Sequence, residues 1–439
     1  MNKLLQRLGL HRRELRAWAM YDWANSAFVT LVVTAVFPIY FQDVAAAGLD
    51  DAVATARYGY ATSGALVLVA LLSPLAGAYA DASARRKKLL GACVVVGAVA
   101  TAALGLVGEG DWVLALVLFA LGNLALLLSL VFNDSLLPHI AEQDEVDRVS
   151  TAGYALGYLG GGLLLALALF AILSPQALGL ADSGVATRLA FVATARWWLG
   201  FSRPVLRRVP EPPRRLESDE TASAAPLRLA LTRLSETLRE LRTFRHAFLL
   251  LIAVLIYNDG VTTIYRMATI YGREIGLPQR DLIAAILMVQ FVGIPFAFLF
   301  GQIAGWIGTK RAILLALVIY LGITVLGYSV QTATHFYLLA LGVAMVQGGT
   351  QALSRSLFAS MIPQHKSSEM FGFFGVAERF AAVLGPALFG LTATLTGSSR
   401  YAVLAVAVFF LVGGALLMRV DVEAGRAAAR RYEAATGAI

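Results

Sequence analysis

The feature that most constrains this chain is a series of apolar stretches, each long enough to cross a lipid bilayer as a helix. A helix needs about 20 residues, at about 1.5 Å per residue, to span the hydrocarbon core. Twelve such stretches occur, and we call them spans 1 to 12. Their predicted limits are residues 17–42, 54–80, 88–107, 112–135, 151–173, 186–203, 246–271, 281–307, 311–331, 335–361, 369–396 and 400–419. Of the 439 residues, 58% are hydrophobic and 15% are charged, whereas soluble proteins are roughly 25% charged. The sequence therefore predicts an all-α integral membrane protein.

Span 1 follows a basic segment and precedes small residues, an arrangement that also occurs in signal peptides. Its apolar run of some 25 residues is longer than the apolar core of a signal peptide, which has about 7 to 15 residues. We therefore expect span 1 to be retained as a membrane anchor.

The distribution of Lys and Arg between the loops predicts the orientation. An even number of spans places both termini on one side, and 27 Lys and Arg lie in the loops and tails of that side, against five in the opposite loops. Because basic loops stay in the cytoplasm, both termini and the long central loop are predicted to be cytoplasmic. The same distribution accounts for the net charge of +8 without a nucleic-acid partner.

A segment rich in proline and charge separates six spans from six. It reads PVLRRVPEPPRRLESDETASAAP at residues 204–226 and is typical of a linker. We divide the chain into an N-terminal six-helix bundle (1–203), a cytoplasmic linker (204–245), a C-terminal six-helix bundle (246–419) and a cytoplasmic tail (420–439). Leucines from Leu227 to Leu241 recur at spacings of 4, 3, 4 and 3, which predicts an amphipathic helix. This helix either packs on the membrane-embedded body of the protein or lies in the cytoplasmic leaflet.

One loop motif occurs twice, at the same place in each half. The loop after span 2 reads GAYADASARRKK, and the loop after span 8 reads GQIAGWIGTKR. Each copy has a glycine, a pivot position four residues later, and a basic pair that begins eight or nine residues after the glycine. These positions are Gly77, Asp81, Arg85 and Arg86 in the first copy, and Gly301, Gly305, Lys310 and Arg311 in the second. Internal repeats of this kind are one way in which transporters build a site between two halves.

The motif resembles the loop signature of the major facilitator superfamily, in which the glycine lets two helices approach and the aspartate meets cytoplasmic arginines and a neighbouring helix. The resemblance implies a fold of two six-helix bundles. Ala82, Ala84 and Gly305 depart from the signature. The first copy is therefore expected to hold a charge network that stabilises one conformation, and the second to keep only the tight turn.

Five further stretches occur in the order AWAMYDWANSAF, FNDSLLPHIA, VDRVSTAGYALGYLGG, YNDG and QGGTQALSRSLFASMIP. Together they resemble the vacuole-effluxer-like permeases of that superfamily, also called the "unknown major facilitator" group. Eukaryotic members of the group are linked to export of amino acids from the vacuole, so the resemblance implies an amino-acid substrate. It also implies a multi-pass protein of the bacterial inner membrane or, in a eukaryote, of the vacuolar membrane.

Ionisable and carboxamide side chains inside spans are costly and are candidates for a substrate or proton pathway. In the arrangement that the resemblance implies, spans 1, 4, 7 and 10 line the central cavity, and these spans carry most of the polar groups. The predicted pathway comprises Asn25, Asn258, Asp259, Arg266, Gln347, Gln351, Glu378 and Arg379. Asp259, near the membrane midplane, is the preferred proton-coupling residue. The alternative for Asp259 is a structural hydrogen bond to a neighbouring span.

Other polar residues lie near the cytoplasmic ends of their spans and are predicted to form a gate. Asp22 lies about 9 Å along the helix axis from Arg16, and Arg355 lies in the cytoplasmic third of span 10, so a bridge from Arg355 to Asp22 or Asp134 is expected. Asn133 and Asp134 belong to this gate, or are solvated, or pair with a loop arginine. The predicted gate and loop residues are Asp22, Asn133, Asp134, Arg355, Gly77, Asp81, Arg85, Arg86, Gly301, Lys310 and Arg311.

The sequence contains no nucleotide-binding loop, hydrolase motif or Cys/His cluster with metal-ligand spacing. We therefore expect neither enzymatic activity nor a cofactor. The sequence predicts a monomeric secondary transporter that moves a small molecule across the bilayer by alternating access, with a proton as the coupling ion. Groups of both signs suit a zwitterion, and they suit equally an internally paired cavity that carries a sugar or a drug-like molecule. A membrane sensor that binds without transporting is the alternative function.

Overall fold

The computed structural model describes residues 2–215, 226–239, 243–380, 384–396 and 399–436. In these ranges the regular secondary structure is helical, and no strand occurs. The predicted all-α class is therefore confirmed. Helices suit these apolar stretches because the membrane core has no water to satisfy backbone N–H and C=O groups, so each span must satisfy its own.

Nine α-helices are described before the central linker. They are α1 (Asn2–Arg7), α2 (Arg13–Ala27), α3 (Phe37–Tyr40), α4 (Asp51–Ser83), α5 (Arg86–Ala103), α6 (Trp112–Ser135), α7 (Leu137–Ile140), α8 (Val146–Leu173) and α9 (Ser183–Arg208). Short 3₁₀ turns at Leu104–Leu106 and Pro175–Leu178 follow α5 and α8. We call this part of the chain the first half.

Ten α-helices are described from the linker onward. They are α10 (Pro226–Arg239), α11 (Arg245–Glu274), α12 (Gln279–Ile307), α13 (Thr309–Tyr328), α14 (Ala333–Ala359), α15 (Ser367–Phe380), α16 (Leu384–Thr396), α17 (Ser399–Ala405), α18 (Ala407–Met418) and α19 (Val422–Thr436). A 3₁₀ turn at Gln364–Lys366 precedes α15. The helices from α11 onward form the second half.

Ten helices in the described ranges are long and apolar enough to cross a membrane. They correspond to ten of the twelve predicted spans. Span 6 falls on α9, where five arginines lower the hydropathy of the helix. Span 11 is described in two pieces, α15 of 14 residues and α16 of 13 residues, each shorter than a membrane-spanning helix. The count of twelve therefore stays a prediction.

The helix of span 1 changes its winding along its length. Two π-helical segments, Phe28–Val36 and Phe41–Ala45, join α2 and α3 into one continuous helix, Arg13–Ala45. The Thr34 hydroxyl donates to the carbonyl oxygen of Val29, five residues earlier, which matches the longer π turn. Helical segments of this kind occur most often at functional sites.

In both copies of the loop motif, a residue with positive φ directly follows the first helix. Gly308, between α12 and α13, has φ of 89°. Ala84, at the same offset from the first glycine of its copy, has φ of 49° and is the one non-glycine residue with positive φ in the described ranges. Alanine therefore adopts a conformation that favours glycine.

A face of glycines on α8 brings this helix close to α2. A Cβ atom built at Gly157 would lie 2.6 Å from Ser26 Oγ, and one built at Gly161 would lie 2.5 Å from Thr30 Oγ1. The absence of side chains lets the two backbones approach each other, as is common between membrane helices. On its other sides α8 packs against α12 and α14, while α4 packs against α15. The two halves thus meet along two seams, α8 with α12 and α14, and α4 with α15.

The linker helix α10 packs on the body of the protein, against α4. Its packing face is formed by Ala230, Arg233 and Thr237, which are fully buried. Leu227 and Leu231, the first two leucines of the predicted apolar stripe, are 55% and 53% exposed. These two leucines therefore face away from the body of the protein.

The predicted tail after residue 420 forms helix α19, which contacts the 3₁₀ turn before α15. Tyr432 stacks on His365 with ring centroids 5.9 Å apart, and Lys366 Nζ donates to the Tyr432 hydroxyl. The backbone N–H of Gln364 donates to Glu433. On its other side Gln364 donates from Nε2 to the carbonyl oxygen of Pro138 in the first half. The tail thus supports a turn that bridges the two halves.

Candidate functional site

A buried arginine joins the two halves at one end of the molecule. Arg355, on α14, donates from Nη2 to Asp22 Oδ2 at 3.0 Å and from Nη1 to Asp134 Oδ1 at 3.1 Å. Its Nε donates to Ser150 Oγ at 2.9 Å. Asp22, Asp134 and Ser150 belong to α2, α6 and α8 of the first half, so one side chain of the second half holds three helices of the first. We call these four residues the arginine cluster.

The surroundings of the arginine cluster exclude water and hold the guanidinium in place. Arg355 is 3% exposed. Its guanidinium carbon lies 4.7 Å from the ring centroids of both Trp18 and Tyr154, an arrangement that adds cation–π attraction. A Cβ atom at Gly153 would lie 2.3 Å from Asp22 Oδ2. The glycine therefore makes room for the carboxylate beside α8.

Asn133, which was also predicted to belong to the gate, lies beside the cluster. It is fully buried, and its backbone oxygen accepts a hydrogen bond from Trp18 Nε1 at 2.8 Å. Its side-chain amide has no hydrogen-bond partner among the described residues. Asn133 thus positions Trp18 through its backbone.

The first loop motif forms a second buried network across the halves. Asp81 accepts hydrogen bonds from the backbone N–H groups of Ser368 and Glu369, at 3.2 and 3.0 Å, in the first turn of α15. Its Oδ1 also lies 2.6 Å from Arg86 Nη2, and Arg86 Nε donates to Ser368 Oγ at 2.9 Å. A carboxylate is favourable at this position because the N-terminus of a helix carries partial positive charge. Arg85 is exposed.

The second loop motif has different contacts at its basic pair. Lys310 Nζ donates to the carbonyl oxygens of Met418 and Val420, at 2.8 Å each, and so binds the end of α18. A cation is favourable there because carbonyl groups at a helix C-terminus carry partial negative charge. Arg311 is exposed. Both Lys310 and the residues it contacts belong to the second half, so this pair does not bridge the halves.

A cavity lies toward the other end of the molecule. Its volume is about 550 Å³, and both halves contribute to its walls. Representative lining residues are Val33, Thr34, Thr62, Thr263 and Val343. Thr34 and Val343 are each twelve residues from the arginine cluster, from Asp22 on the span 1 helix and from Arg355 on α14, or about 18 Å along a helix. Among the residues whose side chains the structure describes, no Asp, Glu, Lys or Arg lines this main cavity.

Several predicted pathway residues occupy the helix turns between the main cavity and the arginine cluster. Asn25 lies between Asp22 and the cavity-lining part of its helix, is 5% exposed, and donates to the Tyr21 carbonyl oxygen at 2.8 Å. Gln347 and Gln351 follow Val343 at intervals of four residues and lead to Arg355. The Gln347 Oε1 atom is buried without a hydrogen-bond partner among the described residues. We call this region the polar layer.

Asp259 also belongs to the polar layer, one turn before the cavity-lining Thr263. It is 1% exposed, and its Oδ1 accepts the N–H of Gly385, in the first turn of α16, at 2.8 Å. The alternative considered for Asp259, a hydrogen bond to a neighbouring span, is thus present. Its neighbour Asn258 donates to the Glu378 backbone oxygen at 3.4 Å. Both contacts connect α11 with the helices of span 11.

Glu378 is half-buried and belongs to the last turn of α15. The side chains of Arg266 and Arg379 lie outside the described residues.

Two contributors to the polar layer were not among the predicted pathway residues. Tyr158, on α8, is wedged beside Gly348 of α14, where a Cβ atom would lie 2.5 Å from its ring. Its buried hydroxyl has no hydrogen-bond partner among the described residues. Gln290 Nε2, on α12, donates across the halves to Thr30 Oγ1 at 3.1 Å. The sequence signal for Tyr158 was its place among the glycines of span 5.

The described residues contain no group of three or more His, Cys, Asp or Glu side chains arranged to hold a metal ion. The polar layer presents amide, phenol and carboxylate groups. Such groups bind a polar solute by hydrogen bonds, and an unpartnered buried group is stabilised when a solute supplies the missing bond.

The chain is similar to the members of a known protein family. The profile of the family "Vacuole effluxer Atg22 like" matches residues 53–430. An uncharacterised MFS-type transporter, YxiO of Bacillus subtilis, is 34% identical over 94% of this chain and 95% of that protein. Autophagy-related protein 22 of Yarrowia lipolytica is 26% identical over 65% of this chain, a match that spans 52% of that longer protein.

The fold also matches that of solved transporters. The structure of the proton:xylose symporter XylE, a major facilitator superfamily protein, superimposes with a TM-score of 0.68 at 15% identity. The match covers 95% of this chain and 96% of that one. At this level of identity the similarity concerns the fold alone.

Proposed function

The chain belongs to the vacuole effluxer Atg22-like family of major facilitator transporters, and we propose that it moves a small polar solute across the membrane by alternating access. The solute we propose is an amino acid or a related metabolite, and the coupling ion is a proton. The protein is a multi-pass membrane protein, and its relatives are transporters and not enzymes.

The observation that carries this proposal is the pairing of a closed end with a cavity on the far side of the polar layer. The arginine cluster is buried and ties three helices of one half to a helix of the other. The main cavity, which both halves line, begins at Val29, about two helical turns from Asp22. Such an arrangement is expected of one state in a cycle in which the two halves rock about a central site.

The distribution of basic residues supports the orientation that we propose. Twelve spans, with both termini cytoplasmic, place the arginine cluster and the Asp81 network at the cytoplasmic side. The main cavity then faces the opposite side. In this state the cytoplasmic gate is closed, and a solute reaches the polar layer from outside the cytoplasm.

The polar layer is the solute site that we propose. Gln347 Oε1 and the Tyr158 hydroxyl are buried groups without a protein partner among the described residues, and each gains a hydrogen bond when a solute binds. Asn25 and Asp259 extend the layer on α2 and α11.

Asp259 is the coupling group that we propose. Its carboxylate accepts a hydrogen bond from the N–H of Gly385, a contact that is strongest when the carboxylate is ionised. Protonation weakens this contact and loosens α16 from α11. Occupancy by a proton is thereby linked to the packing of a helix that borders the polar layer.

Counterflow in proteoliposomes tests the function without knowledge of the coupling ion. Vesicles preloaded with a candidate amino acid are diluted into a trace of the radiolabelled compound, and transient accumulation of label is the expected result. Amino acids, dipeptides, sugars and nucleosides form the panel. A solute that raises the melting temperature of the purified protein but shows no counterflow indicates a binding protein or sensor and contradicts transport.

A further inference from the structure

The two copies of the loop motif meet the opposite half in the same way. A Cβ atom built at Gly77 would lie 2.1 Å from the Ser368 carbonyl oxygen, at the start of α15. A Cβ atom built at Gly301 would lie 2.3 Å from Thr151 Oγ1, near the start of α8. The first loop thus lies against α15 and the second against α8, and the two contacts occupy equivalent places in the two halves.

The pivot positions of the two copies differ. In the first copy Asp81 places a carboxylate against the first turn of α15 and beside Arg86. In the second copy Gly305 takes this position, and a Cβ atom there would meet nothing within 4 Å. The second loop therefore lacks the carboxylate and leaves space where it would lie.

A carboxylate occurs instead on the helix that the second loop faces. Asp147 is the second residue of α8, just as Ser368 is the second residue of α15. Thr309, in the second loop, donates from Oγ1 to Asp147 Oδ2 at 2.6 Å. Ser356, on α14, donates from Oγ to Asp147 Oδ1. A carboxylate therefore joins loop and helix in both copies, supplied by the loop in the first copy and by the helix in the second.

We propose that Asp147 is a positioning residue for alternating access, and that it replaces the carboxylate that the second loop motif lacks. Asp147 belongs to the first half, whereas Thr309 and Ser356 belong to the second, so its two hydrogen bonds exist while the halves are together at this end. Ser356 directly follows Arg355. The contact therefore also fixes the stretch of α14 that presents the guanidinium to the arginine cluster. This inference rests on the proposed function.

A labelling experiment tests the proposal without a known substrate. Cys93, the one cysteine of the chain, is replaced by alanine, and Thr62, which lines the main cavity, is replaced by cysteine. The rate at which a maleimide labels purified protein then reports how often the cavity is open. Asp147→Ala is expected to lower this rate about tenfold, because hydrogen bonds to a charged group stabilise the closed arginine cluster.

Removal of the partners separates this role from a local one. The double variant Thr309→Val with Ser356→Ala is expected to lower the labelling rate of Thr62→Cys by as much as Asp147→Ala does. Combining all three substitutions is expected to lower the labelling rate no further, because each variant removes the same hydrogen bonds. If Asp147 serves only the N-terminus of α8, the double variant labels at the original rate, and the proposal is rejected. The exposed Asp144, just before α8, provides the control Asp144→Ala, which leaves the rate unchanged.

Arg355→Ala, measured in the same assay, distinguishes failure of this inference from failure of the proposed function. If Arg355→Ala lowers the labelling rate but Asp147→Ala, the double variant and the triple variant do not, only the role of Asp147 is overturned. An unchanged rate with Arg355→Ala overturns the gate, and the Asp147 proposal with it.

Discussion

Arg355→Ala removes the side chain that connects Asp22 with Asp134 in the closed arginine cluster. The guanidinium makes buried contacts to both carboxylates and to Ser150, and loss of one partner from a buried ion pair costs about 3–5 kcal/mol. The carboxylates meet water when this end opens, so the cost falls on the closed state. At about 1.4 kcal/mol per factor of ten, the ratio of closed to open forms falls by roughly 10²- to 4 × 10³-fold.

The Thr62→Cys labelling rate measures this shift directly, because closure of the arginine cluster accompanies an open cavity. A fall toward the rate of a fully buried thiol is expected for Arg355→Ala. Arg355→Lys is expected to give an intermediate rate, since an ammonium group lacks the planar fork that contacts two carboxylates together. Arg13→Ala removes an exposed arginine of the same end, on the helix that carries Asp22, and serves as the control.

Neutralisation of the carboxylates provides the decisive comparison. If the cost arises from unpaired buried charge, adding Asp22→Asn and Asp134→Asn to Arg355→Ala restores a large part of the labelling rate. A rate that stays within twofold of the original in Arg355→Ala, with the protein folded by size-exclusion chromatography, refutes the reasoning. So does a triple variant that labels more slowly than Arg355→Ala alone.

Three other predictions concern separate features. Asp259→Asn is expected to abolish transport driven by a pH gradient while counterflow continues, because an amide cannot exchange a proton at this position. Full pH-driven transport by the variant contradicts the coupling role of Asp259. Tyr158→Phe is expected to raise the KM for the transported solute about tenfold and to leave Thr62→Cys labelling unchanged, and an unaltered KM would remove Tyr158 from the solute site. Ala84→Gly is expected to stabilise the protein by about 1 kcal/mol, since glycine adopts positive φ without strain; Gly308→Ala should have the opposite effect, and equal melting temperatures for both variants and the parent would contradict this account.

Sequence reasoning located the polar groups by their depth along each span. Asp22 and Arg355 were paired because both lie near the same end of their helices, and the structure brings them into contact, although their role as a gate stays a prediction. Depth is predictable because the rise per residue of a helix is nearly constant. The loop motif was likewise found from glycine and charge spacing, and its aspartate meets the first turn of α15.

Features without a charge signal were less accessible. Tyr158 and Gln290 belong to the polar layer through the direction in which their side chains point, and direction depends on how two helices pack. Asp147 was not predicted, because its role depends on the absence of a carboxylate at Gly305, on the loop that faces it. The count of ten apolar helices, against twelve predicted spans, reflects the arginines of α9 and the interrupted description of span 11.

The π-helical segment Phe28–Val36 has a consequence for how motion passes along span 1. The hydrogen-bonded turn of a π-helix contains one residue more than that of an α-helix, and one residue corresponds to about 100° of rotation about the helix axis. If this segment rewinds as an α-helix, Val33 and Thr34 turn relative to Asp22 and Asn25 while the backbone hydrogen bonds exchange partners along the chain. The part of the helix that lines the main cavity then rotates about the helix axis, while the part that carries Asp22 keeps its position in the arginine cluster.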